Sequence, residues 1–149
     1  MSVDLTHLEE WVAPLLAKLE ARERRQLAAT IGRDLRRSQQ QRIARQQNPN
    51  GSDFAPRKLQ EKAGRIKRQA MFKKIRQAKY LKLRTSANGL SVGFFGRVAR
   101  VARVHQYGLR DRVRRGGKEV RYEQRELLGF SGTDIDAIRD TLIDHFGRR

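Results

Sequence analysis

Cysteine is absent from this 149-residue chain, which removes disulfides, thiolate metal ligands and cysteine nucleophiles together. Histidine is scarce: His7, His105 and His145 stand far apart, none with a second histidine or carboxylate at a metal-ligand spacing. Acidic residues are few, and in the middle of the chain Glu23, Asp34, Asp53 and Glu61 stand singly among cations. Such carboxylates read as ion-pair partners, not as the matched pair that general acid–base chemistry needs. The glycine-bearing stretches VGFFG and RRGGK match neither a Walker loop nor a dinucleotide fingerprint. No catalytic, metal-binding or cofactor-binding residue is expected, and the chain reads as a non-enzyme. Long apolar runs are also missing, since no segment approaches the roughly 18–20 residues that span a bilayer. The start, MSVDLTHLEEW, lacks the basic and then apolar regions of a secretory leader. The expectation is a protein made and used in a cytoplasm, or in a particle assembled there, with no membrane partner.

What is abundant is positive charge. Against 16 Asp and Glu stand 34 Lys and Arg, a net +18, with a sequence pI near 11.4. A free protein so far from neutrality repels itself, so a polyanion or an acidic protein surface is the natural partner. The excess is not evenly spread. Residues 1–21 carry one basic and four acidic residues; Arg22 to Arg103 carry 23 basic and 4 acidic; the remainder carries 10 and 8. Nearly the whole excess therefore lies between an acidic beginning and a near-neutral end.

The length suits one domain with its own core. Leu5, Leu8, Val12, Leu15, Leu16 and Leu19 recur at helical spacing, which predicts an amphipathic helix over 4–20, kinked near Ala13 by Pro14. A second helix is expected from Ala21 or Glu23 to Gln47, with Leu27, Ile31, Leu35 and Ile43 as its apolar line. Its other face, RDLRRSQQQRIARQQ, is almost all Arg and Gln, and reads either as solvated or as laid against another subunit or a channel. Pro49 and Gly51 in NPNGSD stop it. Residues 57–68 read as a mobile basic loop and 69–77 as a short helix. YLKLRTSANGLSVGFFG then holds two alternating runs around Asn88-Gly89, the strongest short hairpin signal. A lone hairpin is marginal, so further strands are expected. RVARVARVHQY should form a short helix ending at Gly108, with Val98, Val101, Ala102 and His105 on one side. RGGK centres a second hairpin or extended arm over 109–124. Ser131 or Thr133 can cap a final helix whose apolar stripe is Ile135, Ile138, Leu142 and Phe146. Asp134, Asp136, Asp140 and Asp144 read as its solvated or partner-facing side. The whole reads as one α+β domain over 1–149: a helical part at 1–47, a basic loop at 48–68, and a core at 69–149.

Phosphate contacts need only Lys and Arg in a suitable groove, so a general nucleic-acid-binding protein is the alternative reading. Phe72, Tyr80, Phe94 and Phe95 lie among the cations, but the alternation around them favours core positions for most. No helix-turn-helix, zinc-finger, RNP or KH pattern supports sequence readout. His105 reads as a half-buried histidine bonded to backbone.

Four stretches decide the matter further: RRSQQQRIARQQNPNGSDFAPRK (36–58), RIKRQAMFKKIRQAKYLKLR (65–84), GLSVGFFGRVARVARVHQYGLRDRV (89–113) and RELLGFS (125–131). In this order they resemble the phage virion morphogenesis family, the tail completion proteins of contractile-tailed temperate phages. The resemblance covers most of the chain and rests on the NPNG turn with FAP, and on HQYG with RELLGFS. It implies helices packed on a small antiparallel sheet. It also implies a structural role at the virion neck, completing the tail tube and enabling head–tail joining as a ring, hexameric by expectation. The implied partners are further copies of the chain, tail tube, sheath or terminator proteins, head–tail connector proteins, and genomic DNA passing the lumen. A headless tail-like particle is an equally open setting. On this reading Arg36, Arg37, Arg42, Arg45, Arg65, Lys67, Arg68, Lys73 and Lys74 are candidate lumen or partner contacts. Pro49, Gly51, His105, Gln106, Tyr107, Gly108, Leu128, Gly129 and Phe130 are the candidate structural motif.

Overall fold

The computed structural model of the chain describes residues 2–4, 17–57, 61–62, 65–66 and 70–147. Its first long element is helix α1, Ala21–Ala44, about 36 Å at 1.5 Å per residue. Leu27, Ala28, Ile31 and Leu35 bury one side of it, and Gly32 opens room for the Leu83 side chain of the sheet. The helix ends three residues before Gln47 because Gln46 turns left-handed at φ 58°. That strained residue is held by its own side chain. The Gln46 amide donates to the carbonyls of Ile43 and Met71 and accepts from the Met71 N–H, at 2.8–2.9 Å.

The hairpin pairs β4 (Leu81–Ser86) with β5 (Gly89–Phe94) in antiparallel register, Leu81 opposite Phe94 and Leu83 opposite Val92. Alternation sends Leu81, Leu83, Leu90, Val92 and Phe94 to one face, and four of these five are buried. α1 packs against both strands. The expected further strand comes from the beginning of the chain: β1, Ser2–Asp4, lies on the other side of β5, giving the order β1-β5-β4. The helix expected over 4–20 is therefore corrected at both ends. Asp4 belongs to a strand and residues 17–19 form a turn, while 5–16 lie outside the described residues. Two short strands, β2 (Glu61–Lys62) and β3 (Arg65–Ile66), pair within the stretch expected to be a loop. The helix expected over 69–77 is instead a succession of turns from Met71 to Tyr80, with Phe72 at φ 66°.

Helix α2, Val98–Tyr107, ends on Gly108 at φ 63°, ψ 52°, the left-handed stop that glycine adopts without steric cost. Its buried residues are Ala102 and Val104, whereas Val101 is 45% exposed, so the buried side is rotated from the one expected. Strands β6 (Arg110–Arg112) and β7 (Glu119–Arg121) form the second hairpin. Helix α3, Gly132–Gly147, closes the fold against α1. Ser131 Oγ accepts from the Asp134 N–H and an Asp134 carboxylate oxygen accepts from the Ser131 N–H, both at 3.0 Å. This is a reciprocal capping box. α1 is thus held between the three-stranded sheet and α3, and the core gathers Leu27, Ile31, Leu35, Leu81, Val92, Phe94, Ile138 and Leu142.

Candidate functional site

The segment Arg125–Ser131 belongs to no helix or strand and bends at Leu128, yet Leu127 and Leu128 are buried. Backbone polar groups taken from water need partners, and here side chains supply them. Asn48 Oδ1 accepts from the Glu126 N–H at 2.9 Å. Arg42 donates to the carbonyls of Glu126 and Leu127 at 2.9 and 2.8 Å, and to that of Gln47 at 2.9 Å. The Gln106 amide both accepts from the Leu128 N–H at 3.0 Å and donates to the Leu128 carbonyl at 2.8 Å, as a neighbouring strand would. Gln39 Oε1 accepts from the Gly129 N–H at 3.2 Å. Gly129 itself lies so close to Pro49 that a Cβ there would stand 2.5 Å from the proline Cγ.

Behind this contact runs a buried polar chain. Gln39 is fully buried, and its Oε1 accepts from Arg42 at 2.5 Å while its Nε2 donates to Asp134 at 3.3 Å. The Ser38 hydroxyl donates to the other Asp134 oxygen. Burial lowers the Arg42 pKa to about 10, with Asp134 and Glu126 opposing the shift, so the guanidinium stays charged at neutral pH. A second buried arginine, Arg125, donates to the carbonyls of Ala55 and Pro56 at 2.7 and 3.1 Å. Burial is also the main cause that lowers its pKa. Arg42 thus ties α1 to RELLGFS, and Arg125 ties RELLGFS to FAP.

His105 sits beside this junction, edge-on to Phe72 and Tyr122, with Phe54 beyond Phe72. Its Nδ1 lies 3.2 Å from an Arg125 guanidinium nitrogen, so the ring must accept there. Burial first, and the Arg125 charge second, push its pKa down to about 4. The imidazole is therefore neutral and packed, and takes up no second proton near pH 7.

The expected motif residues largely meet. Pro49, His105, Gln106, Leu128 and Gly129 converge, Phe130 packs on the core, and Gly108 fits closely under Gln124 and Tyr122. Tyr107 instead points outward at 59% exposure, and Gly51 occupies an open turn at φ 88°. The expected cationic contacts separate. Arg37, Arg45, Lys73 and Lys74 are exposed and Arg36 is half-buried. Arg42, only 4% exposed, faces inward, which removes it from any outward contact surface. The side chains of Arg65, Lys67 and Arg68 lie outside the described residues. The exposed face of α1 is carried by Gln26, Thr30, Arg33, Arg37, Gln41 and Ala44. Asp134 is likewise corrected, from a surface carboxylate to a buried one. No group of metal-ligating side chains occurs among the described residues, nor a helix apolar and long enough to cross a membrane.

The model of the phage virion morphogenesis family matches residues 3–147. The chain belongs to this family. It is 36% identical to tail completion protein S of Escherichia phage P2, over 97% of this chain and 99% of that protein. No solved structure matches it. The segments that carried the family resemblance in sequence, NPNG with FAP, HQYG and RELLGFS, are those that the two buried arginines and three side-chain amides bind into one junction.

Proposed function

We propose that this chain is a tail completion protein, a non-enzymatic component of a phage tail. The observation that carries this reading is the 36% identity to tail completion protein S, which runs nearly end to end in both chains. The likeness therefore includes the whole scaffold, not one borrowed segment. The finer reading is that copies of the chain form a ring at the head-proximal end of the tail tube, which caps the tube and lets the head join. Its neighbours are then tube, sheath or terminator proteins on one side and connector proteins on the other, with DNA passing the lumen in a particle that carries it. Particles of this kind are assembled in the host bacterial cytoplasm. The exposed Arg33 and Arg37 on α1, with Lys73 and Lys74, supply cationic surface for such neighbours.

The test is to inactivate the gene in the prophage that encodes the chain and to examine induced lysates. Free heads accumulating beside separate tails, with joined particles restored by the gene in trans, is the expected result. An undiminished yield of joined particles overturns the reading. High affinity of the purified chain for duplex DNA, with a steep salt slope and no incorporation into tails, would favour nucleic-acid binding instead.

A further inference from the structure

The β6–β7 hairpin projects from the end of α2 as an arm. Leu109 N–H donates to the Val104 carbonyl at 2.9 Å, and Tyr122 N–H donates to the Leu109 carbonyl at 3.0 Å. Arg100 on α2 grips Asp111 through two bonds of 2.6 and 3.1 Å. Beyond that root the hairpin pairs only its own two strands, and the side carrying Val113, Val120 and Tyr122 lines an open groove with Pro56, Phe72 and His105. The register sets Asp111 opposite Val120 and Arg112 opposite Glu119. Alternation then puts Leu109 and Val113 on the same face as Val120 and Tyr122, with Leu109 37% and Val113 55% exposed. Exposed cations crowd the arm: Lys118 shares this side with Asp111, Arg110, Arg112 and Arg121 lie on the other side with Glu119, and Arg114 and Arg115 stand at the turn. Of the arm's two acidic residues, Asp111 is already taken by Arg100.

A surface of opposite character lies on α3. Asp136, Asp140, Ile143 and Asp144 are exposed and follow i, i+4, i+7, i+8, which places them on one side of the helix, opposite buried Ile138 and Leu142. Ile143 is 63% exposed at the edge of that acidic side, between Asp136 and the exposed Arg139. Like charges at i, i+4 disfavour an isolated helix, and a cationic surface laid over them reverses the sign. One chain thus carries a basic arm and an acidic helix face on different elements, each with an exposed apolar residue, Val113 or Ile143, beside its charges. That is the condition for a head-to-tail contact between identical subunits.

We infer that the tip of the β6–β7 arm docks on the outward face of α3 of a second copy of this chain, with Val113 against Ile143 and the turn arginines Arg114 and Arg115 against Asp136 and Asp140. The contact rests on the reading of the chain as an assembling tail component, and names the surfaces through which it assembles. A phosphate backbone would satisfy the arginines but leave the apolar face of the arm uncovered, which is why a protein surface is the better occupant.

The experiment uses the full-length chain with its charges exchanged. Arg114→Glu with Arg115→Glu reverses the arm, and Asp136→Arg with Asp140→Arg reverses the helix face. All four positions are exposed, so circular dichroism and melting should match wild type. Sedimentation velocity at low and moderate salt should show wild type associating, and each variant alone weakened at least tenfold. An equimolar mixture of the two variants should assemble again, because every contact in an alternating array then joins opposite charges. The inference is overturned if folded wild type stays monomeric throughout. It is equally overturned if either variant associates like wild type, or if the mixture fails to assemble while both variants are folded. It also falls if the arm reversal abolishes binding to duplex DNA and leaves self-association unchanged. Joined-particle yield after gene loss, measured separately, tests the tail-completion reading without reference to the arm.

Discussion

Replacing Arg42 with alanine removes one guanidinium and, with it, a donor to four acceptors: the part-buried carbonyls of Gln47 and Glu126, and the buried Leu127 carbonyl and Gln39 amide oxygen. The Gln39 oxygen keeps another donor, the Gly129 N–H. Hydrogen bonds to charged groups contribute about 1.5–3 kcal/mol each before desolvation is counted, and the bonds share one desolvated cation. The net cost of removing one member of a buried charged network is about 3–5 kcal/mol. A chain of this size is stable by about 5–15 kcal/mol, so the loss is a large fraction of the total. At 2–4 °C per kcal/mol, the melting temperature should fall by ~6–20 °C. Arg37→Ala, five residues earlier on the exposed face of the same helix, is the matched comparison. It should stay within about 0.5 kcal/mol of wild type. Thermal or urea unfolding of the two variants decides the point. If Arg42→Ala costs no more than Arg37→Ala, the inward-facing guanidinium does not hold the junction, and the reasoning about RELLGFS fails.

Three further outcomes follow from the same geometry. Gly129→Ala should cost about 1–3 kcal/mol by overpacking against the rigid Pro49 ring, and part of that loss should return in the double variant with Pro49→Ala, measured by denaturant unfolding. Asp134→Ala leaves the Ser131 cap of α3 but removes the carboxylate half of the capping box and the acceptor for Ser38 and Gln39, at about 1–3 kcal/mol; its effect should be strongly non-additive with Gln39→Ala in a double-mutant cycle. The His105 imidazole should titrate near pH 4 by NMR, not near 6.5. Because the unfolded chain takes up that proton first, the stability contributed by neutral His105 is fully present above about pH 6.5 and is lost as pH falls toward 4.

The sequence made the hairpin legible through Asn88-Gly89, α2 through the Gly108 stop, and α3 through Ser131 and its apolar stripe, because each carries a local signal. It also marked the motif residues that meet at the junction. What stayed hidden was the inward role of polar residues. Leu27, Ile31 and Leu35 advance by four, and the next positions in that line are Gln39 and then Arg42 and Ile43. Carrying the period through the polar stretch would have placed Gln39 and Arg42 inside, but polarity alone sends them to solvent. Arg125 was invisible for a different reason: two of its partners, the backbone carbonyls of Ala55 and Pro56, are 70 and 69 residues away. Residues 69–77 read as a helix because apolar spacing there cannot reveal that Phe72 is left-handed. β1 escaped notice because a three-residue edge strand has too few positions to show a period.

The central claim is that this chain completes the end of a phage tail, and cryo-electron microscopy of tails purified with and without its gene tests it most directly. The account predicts density at one end of the tube that is present only with the gene and is occupied by this chain when labelled. Tails identical in the two preparations, with the chain absent from both, would contradict it.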